Sequence, residues 1–573
     1  VMGYGVVNQK SVTGSVAQVK AEDLNKVNAV SVDNMLQGRA AGLTISQFTA
    51  QPGGDVNISI RGGGTPLYVI DGVAMFGASE NMSNVDAGRL GPSGENFRDA
   101  AKHSPLSTIN PNDIETIDIL KDAAATAIYG SAAANGVVLI TTKKGKAGKI
   151  SVSYSGSVSV QEIYTKLEML NGSDFRKYQN LATQEKWLAD KNYYPYGATP
   201  APVPGSSGYD GPTLYYTDQD ILDAPSYDHF DAITRTGMIT DHNISITGGT
   251  ESTKMFASFG YYDQQSVIKS SDFKRFSGRI NLEQTLSKWL KLSVNTTYTV
   301  TQANNAQVTV NTDSRASRDN PNEAKMTGAA MLFPSDAPLE EGGILTKNIH
   351  DPQLPNPLAY MAVKDIGTSD RLFFAPNIEA TITSYLKANL VGGIDRSSAD
   401  RDMWAPSRAK LPMQKEENYG GFSKSYANNY SIEGYLTFNK HFGADHHLSA
   451  VAGVGGYKQD FKSYSITVFN LPTEAVENNN LGLAEQHDLD ITNSRKAEFT
   501  KLSQFGRLSY TFKGRYILGV TVRRDGSDRF PPSKKWGFFP GVSLGWTMSE
   551  ESFMSSLAWI DNLKLRAGYG TTG

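Results

Sequence analysis

The sequence predicts a transmembrane β-barrel, large enough when complete for about 22 strands, with an N-terminal α+β plug domain inside its lumen. Three observations support this fold class. About 13 segments of roughly ten residues alternate between apolar and polar residues, as strands do when lipid lies outside and water inside. The connections between these segments are either tight turns or loops of tens of residues. The N-terminal region lacks this alternation and carries short strands, helical stretches and Gly-rich turns.

The composition excludes several other classes of protein. The 573 residues include 55 Lys+Arg and 58 Asp+Glu, a formal net charge of −3, so no basic field favours nucleic acid as a partner. Cysteine is absent, which rules out disulfides and thiolate metal sites. No apolar run approaches the roughly 18 residues of a spanning helix.

The plug is predicted over residues 1–147 as one compact α+β unit. Ser31–Ala40 is expected to form a short helix that Ser31 caps. A strand, an Ala-rich helix and a second strand are expected to follow one another at Ile114–Lys121, Asp122–Ala134 and Val137–Lys143. Shorter strands are predicted at Gly42–Gln47, Asp55–Arg61 and Leu67–Asp71.

The barrel strands are predicted in residues 148–573, where period-two alternation begins. In Ile150–Val160 the apolar residues occupy one face and five serines the other. Soluble β-sandwiches also alternate, but their strands average only about 5 to 6 residues. The other clear segments are Leu290–Val300, Leu386–Ile394, Leu448–Val454, Tyr516–Val522, Val542–Met548 and Leu563–Tyr569.

The turns and loops fall into two length classes. Phe512-Lys513-Gly514 is a tight turn, whereas Asn192–Tyr216 is a long connection rich in Pro and Tyr. Short turns at one end and long loops at the other are typical of outer-membrane barrels.

Simple geometry predicts that the wall is incomplete. Strands about 4.8 Å apart and tilted by about 40° would close 13 strands at a diameter of roughly 26 Å. A plug of this size has a diameter near 38 Å, which requires about 22 strands. Roughly nine strands are therefore expected beyond Gly573.

The sequence contains short motifs that could indicate catalysis or metal binding, but their surroundings do not support either role. Gly541-Val542-Ser543-Leu544-Gly545 matches a nucleophile elbow, but the alternation continues through it, so Ser543 is expected to face the lumen. Adjacent His446 and His447 point to opposite faces of a strand and cannot chelate one ion. Asp525-Gly526-Ser527-Asp528 is too short for a calcium loop and is interpreted as a turn. No enzymatic role, cofactor or metal is predicted.

Several segments resemble one family. NPNDIETIDILKDAAATAIYGSAAANGVVLITTKKGK (110–146) is similar to the plug of SusC-like (SusC/RagA) TonB-dependent outer-membrane transporters. VMGYGVVNQKSVTGSVAQV (1–19) is similar to the start of that plug. Further matches are NMLQGRAAGLTIS (34–46), ISIRGG (58–63), PLYVIDGV (66–73), FKRFSGRINL (273–282), VRRDGSDRF (522–530) and LKLRAGYGTTG (563–573).

The chain departs from the family pattern at three places. Ala132 stands where the family usually has Arg after Tyr-Gly-Ser, so an ion pair between plug and barrel at that position is not expected. The link Arg61–Pro66 is several residues shorter than usual, and His229 replaces a usual Trp. A signal peptide and a complete TonB box are also missing, as expected if the chain is trimmed at both ends.

The resemblance implies a location, an activity and partners. It implies a multi-pass barrel in the outer membrane of a Gram-negative bacterium that imports an oligosaccharide or oligopeptide. TonB would supply the work through a segment upstream of Val1, and a SusD-like surface lipoprotein would close the mouth. A dimeric assembly with this partner is one option that the resemblance leaves open. A siderophore or vitamin receptor of the same architecture and a passive porin-like barrel remain as alternatives.

Two sets of plug residues are singled out. Outward loops are expected to touch substrate, because aromatic rings stack on sugars or side chains and amides offer paired donors and acceptors. These candidates are Phe48, Gln51, Asp55, Phe76, Asn81 and Asn96. A second set belongs to the plug pattern and is expected to be structural, since glycine permits positive φ in turns. It comprises Arg61, Gly62, Asp71, Gly72, Lys121, Asp122, Tyr129, Gly130, Asn135 and Gly136.

Overall fold

The fold consists of a small mixed sheet followed by a much larger antiparallel sheet. It is known from a computed structural model, which describes residues 13–20, 31–47, 51–54, 56–75, 104–164, 166–207, 209–305, 326–351, 354–409, 418–487, 493–554 and 559–573. The two sheets confirm the predicted fold class of a plug unit joined to a barrel-type wall.

The plug sheet has five strands in the order β1-β6-β7-β4-β5. Strands β4 and β7 run parallel, and the other neighbours are antiparallel. Strands β2 and β3 form a separate hairpin. The bounds are β1 Val16–Lys20, β2 Leu43–Gln47, β3 Val56–Ile60, β4 Leu67–Ile70, β5 Val73–Met75, β6 Ile114–Leu120 and β7 Val137–Thr142.

Two predicted plug helices are much shorter than expected. The first, α1, covers only Val32–Met35, and the Ser31 side chain makes no capping hydrogen bond. The Ala-rich segment forms a single turn of α-helix, α2 (Ala123–Thr126), followed by a 3-10 stretch, Ala127–Ala133. Gly130 breaks this stretch with φ 63° and ψ −134°. Helix propensity is overridden here because Gly130, which lies against Arg523 and Asp525, takes a non-helical conformation.

The larger sheet, called the wall below, has a path of 13 strands, in agreement with the predicted number. Every neighbouring pair is antiparallel. The bounds are β8 Gly148–Gln161, β9 Gly237–Gly249, β10 Thr253–Gln265, β11 Ser271–Ser287, β12 Leu290–Asn305, β15 Lys364–Thr383, β16 Leu386–Ala405, β17 Tyr419–Phe442, β18 His446–Phe469, β20 Asn493–Phe512, β21 Tyr516–Ser527, β22 Trp536–Thr547 and β23 Lys564–Gly570. Within the described residues, β8 and β23 lie at the two ends of the path, so the sheet is open. The division into domains 1–147 and 148–573 stays a proposal.

Side chains on the wall alternate as predicted. On β21, for example, Val522 is 39% exposed on the outward face, whereas the neighbouring Thr521 and Arg523 are 6% and 1% exposed and face inward. Several strands are longer than their alternating segments; Leu448–Val454, for example, lies within the 24-residue β18. The ladder continues where both faces become polar, because backbone hydrogen bonding does not depend on the alternation.

Tight turns and long loops lie at opposite ends of most strands. Phe512 and Tyr516 are joined by the tight turn that the sequence predicted. Lys513 and Gly514 have positive φ in this turn. The long connections contain the remaining small strands, β13 Glu340–Glu341, β14 Ile344–Leu345 and β19 Gln486–His487.

Most helices also lie in the connections between wall strands. They are α3 Gly172–Asp190, α4 Asp218–Leu222, α5 His229–Ile233, α6 Met326–Leu332 and α7 Pro357–Ala362. The further 3-10 turns are Pro105–Thr108, Pro111–Asp113, Ser407–Ala409, Glu474–Val476, Leu481–Leu483, Pro532–Lys534, Met548–Glu550 and Ser552–Met554. None of the helices in the described ranges has the length and apolar character required to cross a membrane.

Candidate functional site

The plug contacts the inner face of the wall through polar side chains, and arginines supply the strongest contacts. Arg275 Nη1 donates to the Ser107 carbonyl oxygen over 2.9 Å, and Arg371 Nη1 donates to Thr108 Oγ1 over 2.9 Å. These arginines are only 2% and 4% exposed. We call this set of polar contacts between plug and wall the seam. Hydrogen bonds of charged groups contribute about 1.5–3 kcal/mol each, so a few of them hold the plug in one position.

The seam is best defined around Arg523 and Asp525 on β21. Arg523 Nη1 donates to the Ile128 carbonyl oxygen over 2.7 Å, and its Nε donates to Asp525 Oδ1 over 2.8 Å. Asp525 Oδ2 accepts hydrogen bonds from Ser131 N and Ser131 Oγ, both over 2.9 Å. Ser503 Oγ donates to the other carboxylate oxygen over 2.7 Å. One buried ion pair on the wall thus binds the plug backbone on both sides of Gly130.

The contact with Asp525 corrects one sequence expectation. The segment from Asp525 to Asp528 was interpreted as a turn, but Asp525, Gly526 and Ser527 belong to β21. Asp525 faces inward and pairs with the buried Arg523, so its backbone stays in the hydrogen-bonded strand rather than in a loop. Only Asp528, an exposed residue, lies past the end of the strand.

Gly130 lies very close to the wall. A Cβ atom there would lie 2.3 Å from Asp525 Oδ2 and 2.7 Å from Arg523 Cδ. Its φ of +63° is also a conformation that side chains rarely adopt. The glycine is therefore required by the neighbouring wall as well as by the backbone turn. Next to it, Tyr129 is buried, and this burial raises the pKa of its phenol.

The structure also accounts for Ala132. Where the family usually has a plug arginine, the cation at this part of the seam is Arg523 from the wall, and the plug contributes Ser131 and a carbonyl group. Arg523 and Asp525, both on the wall, neutralise each other, so no charged plug residue is needed at this position.

Asp71 and Gly72 form the hairpin turn between β4 and β5, with φ of 47° and 91°. Asp71 Oδ1 accepts from Thr142 N over 3.0 Å, and Asn295 of the wall donates to the Asp71 carboxylate. Arg279 of the wall donates to Thr142 Oγ1. This turn, which was expected to be structural, therefore also belongs to the seam.

Other residues of the plug pattern are positioned within the plug. Arg61 and Gly62 form a turn with φ of 53° and 78°, and Arg61 Nη2 donates to Ser15 Oγ over 3.1 Å. Lys121 Nζ donates to the Ala41 carbonyl oxygen, and burial lowers the pKa of this amine. Asp122 caps α2 by accepting from Ala125 N over 2.8 Å.

Asn135 and Gly136 complete that set. Asn135 Nδ2 donates to the Thr65 carbonyl oxygen over 3.4 Å. Gly136 has a φ of +94°, and a Cβ atom there would lie 2.7 Å from Ile60 Cδ1. Their contacts lie within the plug, and their structural role stays a prediction.

Only one of the six substrate candidates lies in the described part of the chain. Gln51 Nε2 donates to the Asn304 carbonyl oxygen over 3.4 Å. This plug residue therefore lies beside the C-terminal end of β12, where a long connection begins. Phe48, Asp55, Phe76, Asn81 and Asn96 lie outside the described residues. A role in substrate binding stays a prediction for all six.

Two long connections pack against each other above the wall. His229 Nε2 lies 2.8 Å from the Pro334 carbonyl oxygen, and the ring of His229 stacks on Tyr227. The Tyr216 hydroxyl lies 2.8 Å from His350 Nε2, and burial raises the pKa of this tyrosine to about 12. An ion pair of 2.7 Å joins Arg176 to Asp336. His229, at the position where the family usually has Trp, is therefore buried and joins the two connections.

The same connections expose aromatic rings. Tyr164, Tyr194 and Tyr215 are 102%, 72% and 63% exposed. Exposed aromatic rings can stack on sugars or on apolar side chains of a peptide.

Sequence reasoning missed the buried wall arginines. Their signal was present, because Arg275, Arg279 and Arg523 lie in segments quoted for the family resemblance and occupy inward positions of alternating strands. A charged residue that faces inward at such a position requires a partner across the lumen.

Catalytic and metal-binding motifs take ordinary structural positions. Ser543 lies within β22 and is 2.7 Å from Thr13 of the plug, so it faces inward as predicted. His447 stacks on His441 across the hairpin, with ring centroids 4.2 Å apart. In the described ranges, no group of three or more His, Cys, Asp or Glu residues is arranged to hold a metal ion.

Comparison with known proteins places this architecture in a class. Residues 8–137 match the TonB-dependent Receptor Plug Domain. The TonB-dependent receptor SusC of Bacteroides thetaiotaomicron is 30% identical over 617 aligned positions, which cover 100% of this chain and 53% of that protein. The TonB-dependent receptor P26 of Formosa agariphila is 29% identical and is 52% covered. The chain thus spans about half the length of the curated relatives it matches.

Solved structures show the same fold. The RagAB peptide importer in its open-open state superimposes with a TM-score of 0.77 at 22% identity, over 100% of this chain and 61% of that chain. The ferric citrate transporter FecA superimposes with a TM-score of 0.53 at 12% identity, over 98% of this chain and 63% of that chain. The chain therefore has the fold of TonB-dependent receptors, with a plug and part of a barrel wall. Within that class, its sequence is similar to the SusC-like receptors along its whole length.

Proposed function

We propose that the intact receptor imports oligomeric nutrients, either oligosaccharides or oligopeptides, across the outer membrane of a Gram-negative bacterium. The observation that carries this proposal is the polar seam, in which buried wall residues hold the plug against the inner face of the wall. Polar contacts hold a plug in place and can also be exchanged for water when it moves. An apolar interface of the same size would have to expose its surface instead.

Energy is needed because the seam must be broken in each transport cycle, and an outer membrane holds no ion gradient of its own. We propose that TonB supplies this work by pairing with a segment upstream of Val1 through strand addition. Uptake in cells that carry the receptor should stop when tonB is deleted. Uptake that continues at the same rate without TonB would contradict the proposal and would favour the passive porin-like alternative.

The lid and the cargo form the finer part of the proposal. The RagAB structures are those of a peptide importer, and the exposed rings of Tyr164, Tyr194 and Tyr215 suit either a glycan or a peptide. We propose a SusD-like surface lipoprotein as the lid and a dimeric assembly of the receptor with this partner. Purification from detergent-solubilised membranes should recover this lipoprotein in about equal amounts with the receptor; recovery of the receptor alone would favour a siderophore or vitamin receptor.

Binding measurements separate the two cargo classes. Oligosaccharides and oligopeptides of matched length can be titrated into the purified complex by calorimetry. Replacement of Tyr215 by alanine should weaken binding of the true cargo, because a stacked ring contributes about 0.5–1.5 kcal/mol beyond its buried area. Replacement of Tyr385, an aromatic residue beside the opposite end of the wall, serves as the control.

A further inference from the structure

The outward face of the wall carries a groove of about 830 Å³ between β16 and β22. Gly434 and Gly506 lie on its floor, and Val454 and Phe538, which are 59% and 60% exposed, form its sides. A Cβ atom on Gly434 would have no neighbour within 4 Å, so the packing of this chain leaves the space open. The groove is apolar apart from Asn389, Gln504 and Arg524.

The depth of the groove in the bilayer follows from two tryptophans on β22. Trp536 and Trp546 lie ten residues apart on the outward face, which is about 33 Å along a strand and about 25 Å along the barrel axis at a tilt near 40°. The apolar band of an outer-membrane barrel is about 25 Å tall and is bounded by aromatic residues. Trp536 therefore lies at one boundary of the band and Trp546 at the other.

The upper end of the groove is cationic. The Arg524 guanidinium lies 4.3 Å from the centroid of the Trp536 ring, at the boundary on the side of the long loops. The β21–β22 connection above it exposes Arg529, Lys534 and Lys535. The only outward acid between Arg524 and Trp536 is Asp528, because Asp525 faces inward and pairs with Arg523.

We propose that this surface, the groove with its four cations, binds a phosphate-bearing lipid of the outer leaflet. The acyl chain would lie along Gly434 and Gly506, and the phosphate would lie beside Arg524 and Lys535. Charge complementarity selects an anionic headgroup, since this segment exposes four cations and one carboxylate, and the neighbouring Glu498 of β20 is already paired with Lys458. A second copy of a neutral apolar surface would not need these cations. The proposal rests on the outer-membrane location given under the proposed function.

Fluorescence quenching by brominated lipids tests this proposal, because bromine quenches only tryptophans that it contacts. The intact receptor is placed in phosphatidylcholine nanodiscs that contain a minor fraction of chain-brominated phosphatidylglycerol or chain-brominated phosphatidylcholine. The difference between wild type and Trp536→Phe isolates the signal of Trp536. We expect the anionic lipid to quench Trp536 at least about threefold more effectively than the zwitterionic lipid.

A triple variant tests the cations. Combined Arg524→Gln, Lys534→Gln and Lys535→Gln should abolish the preference of Trp536 for the anionic lipid. The matched control is Lys513→Gln, which removes an exposed cation that lies over the Phe512 ring in a tight turn at the opposite end of the wall. This control should leave the preference at Trp536 unchanged.

Three outcomes would overturn the proposal. They are equal quenching of Trp536 by the two lipids in the wild type, a preference that survives removal of the three cations, and no quenching by either lipid together with an assembly mass above that of one receptor per nanodisc. The last would assign the groove to a second copy. The experiment requires neither TonB nor cargo, so its failure would leave the import proposal untouched.

Discussion

At the scale of single residues, the seam depends on close approach rather than on charge alone. Gly130 lets the plug backbone come within hydrogen-bonding distance of a buried ion pair, and no other residue type leaves that space. Gly62 also has a positive φ, but a Cβ atom there would meet no atom within 4 Å. A comparison of the two glycines therefore tests whether the neighbouring wall adds to the cost of a side chain at Gly130.

Gly130→Ala should destabilise the seated plug more than Gly62→Ala does. Both variants place alanine at positive φ, which costs about 1–2 kcal/mol in the left-handed helical region, but Gly130 has ψ −134°, outside that region, and only Gly130→Ala also overlaps Asp525 and Arg523. We expect an additional loss of about 1–3 kcal/mol in the free energy of unfolding of the plug. Urea unfolding followed by plug proteolysis measures the difference, and equal midpoints for the two variants would show that the wall yields without cost.

Asp525→Asn should weaken the seam strongly. The change leaves the Arg523 guanidinium buried without its carboxylate, and breaking such a buried pair costs about 3–5 kcal/mol. Asp528→Asn is the matched control, because that carboxylate is exposed and accepts hydrogen bonds from the backbone and side chain of Thr500. Thermal unfolding of the two variants measures the effect; a control as damaging as Asp525→Asn would contradict this account.

At the scale of elements, the long connections are held together by histidines. His350 contacts Tyr216 from the preceding connection, and His229 contacts the Pro334 carbonyl group. Burial lowers the pKa of both imidazoles, so the packed connections favour the neutral rings. Protonation of His229 and His350 therefore favours separation of the two long connections.

Acidification should loosen the packed connections. A histidine whose pKa is lowered in the folded state contributes its full stability above the ordinary pKa of about 6.5, and that stability is lost as the pH falls below this value. Hydrogen exchange of residues 209–236 should accelerate as the pH is lowered from 7.5 to about 5, after correction for the intrinsic rate. His350→Gln should flatten this dependence, whereas His446→Gln, in a wall hairpin, should not change it.

At the scale of the whole molecule, the plug and the wall form a removable closure. Thr13 Oγ1 and Ser543 Oγ lie 2.7 Å apart across the seam, and the chain has no natural cysteine that would complicate a designed disulfide. Gln18 and Asp118 are paired across two plug strands and provide a bridge that lies entirely within the plug.

A disulfide between Thr13→Cys and Ser543→Cys should block import when oxidised, and reduction should restore it, because the start of the plug can no longer leave the wall. The control bridge between Gln18→Cys and Asp118→Cys should leave import largely intact if the plug moves as a unit. Uptake by whole cells with and without reductant measures both. Undiminished import by the oxidised Thr13–Ser543 variant would show that the contact persists during transport.

The sequence alone determined the wall and the general composition of the plug. Alternation along strands such as β8 and β12 follows from lipid on one side and water on the other, so it is visible without any knowledge of the neighbouring strands. The positive-φ glycines of the turns were also predictable, because their backbone requirement is local. Where both faces of a strand become polar, as in the upper part of β18, the local signal ends although the strand continues.

Only the tertiary structure decided how the plug is held. Asp525 lies in a segment that indicated a turn, and its partner Ser131 lies 394 positions away in the sequence, so no local pattern connects them. The predicted helix over Asp122–Ala134 is interrupted for the same reason, since the wall determines the backbone at Gly130. Contacts between distant segments have no periodicity, and their geometry exists only once both sheets have formed.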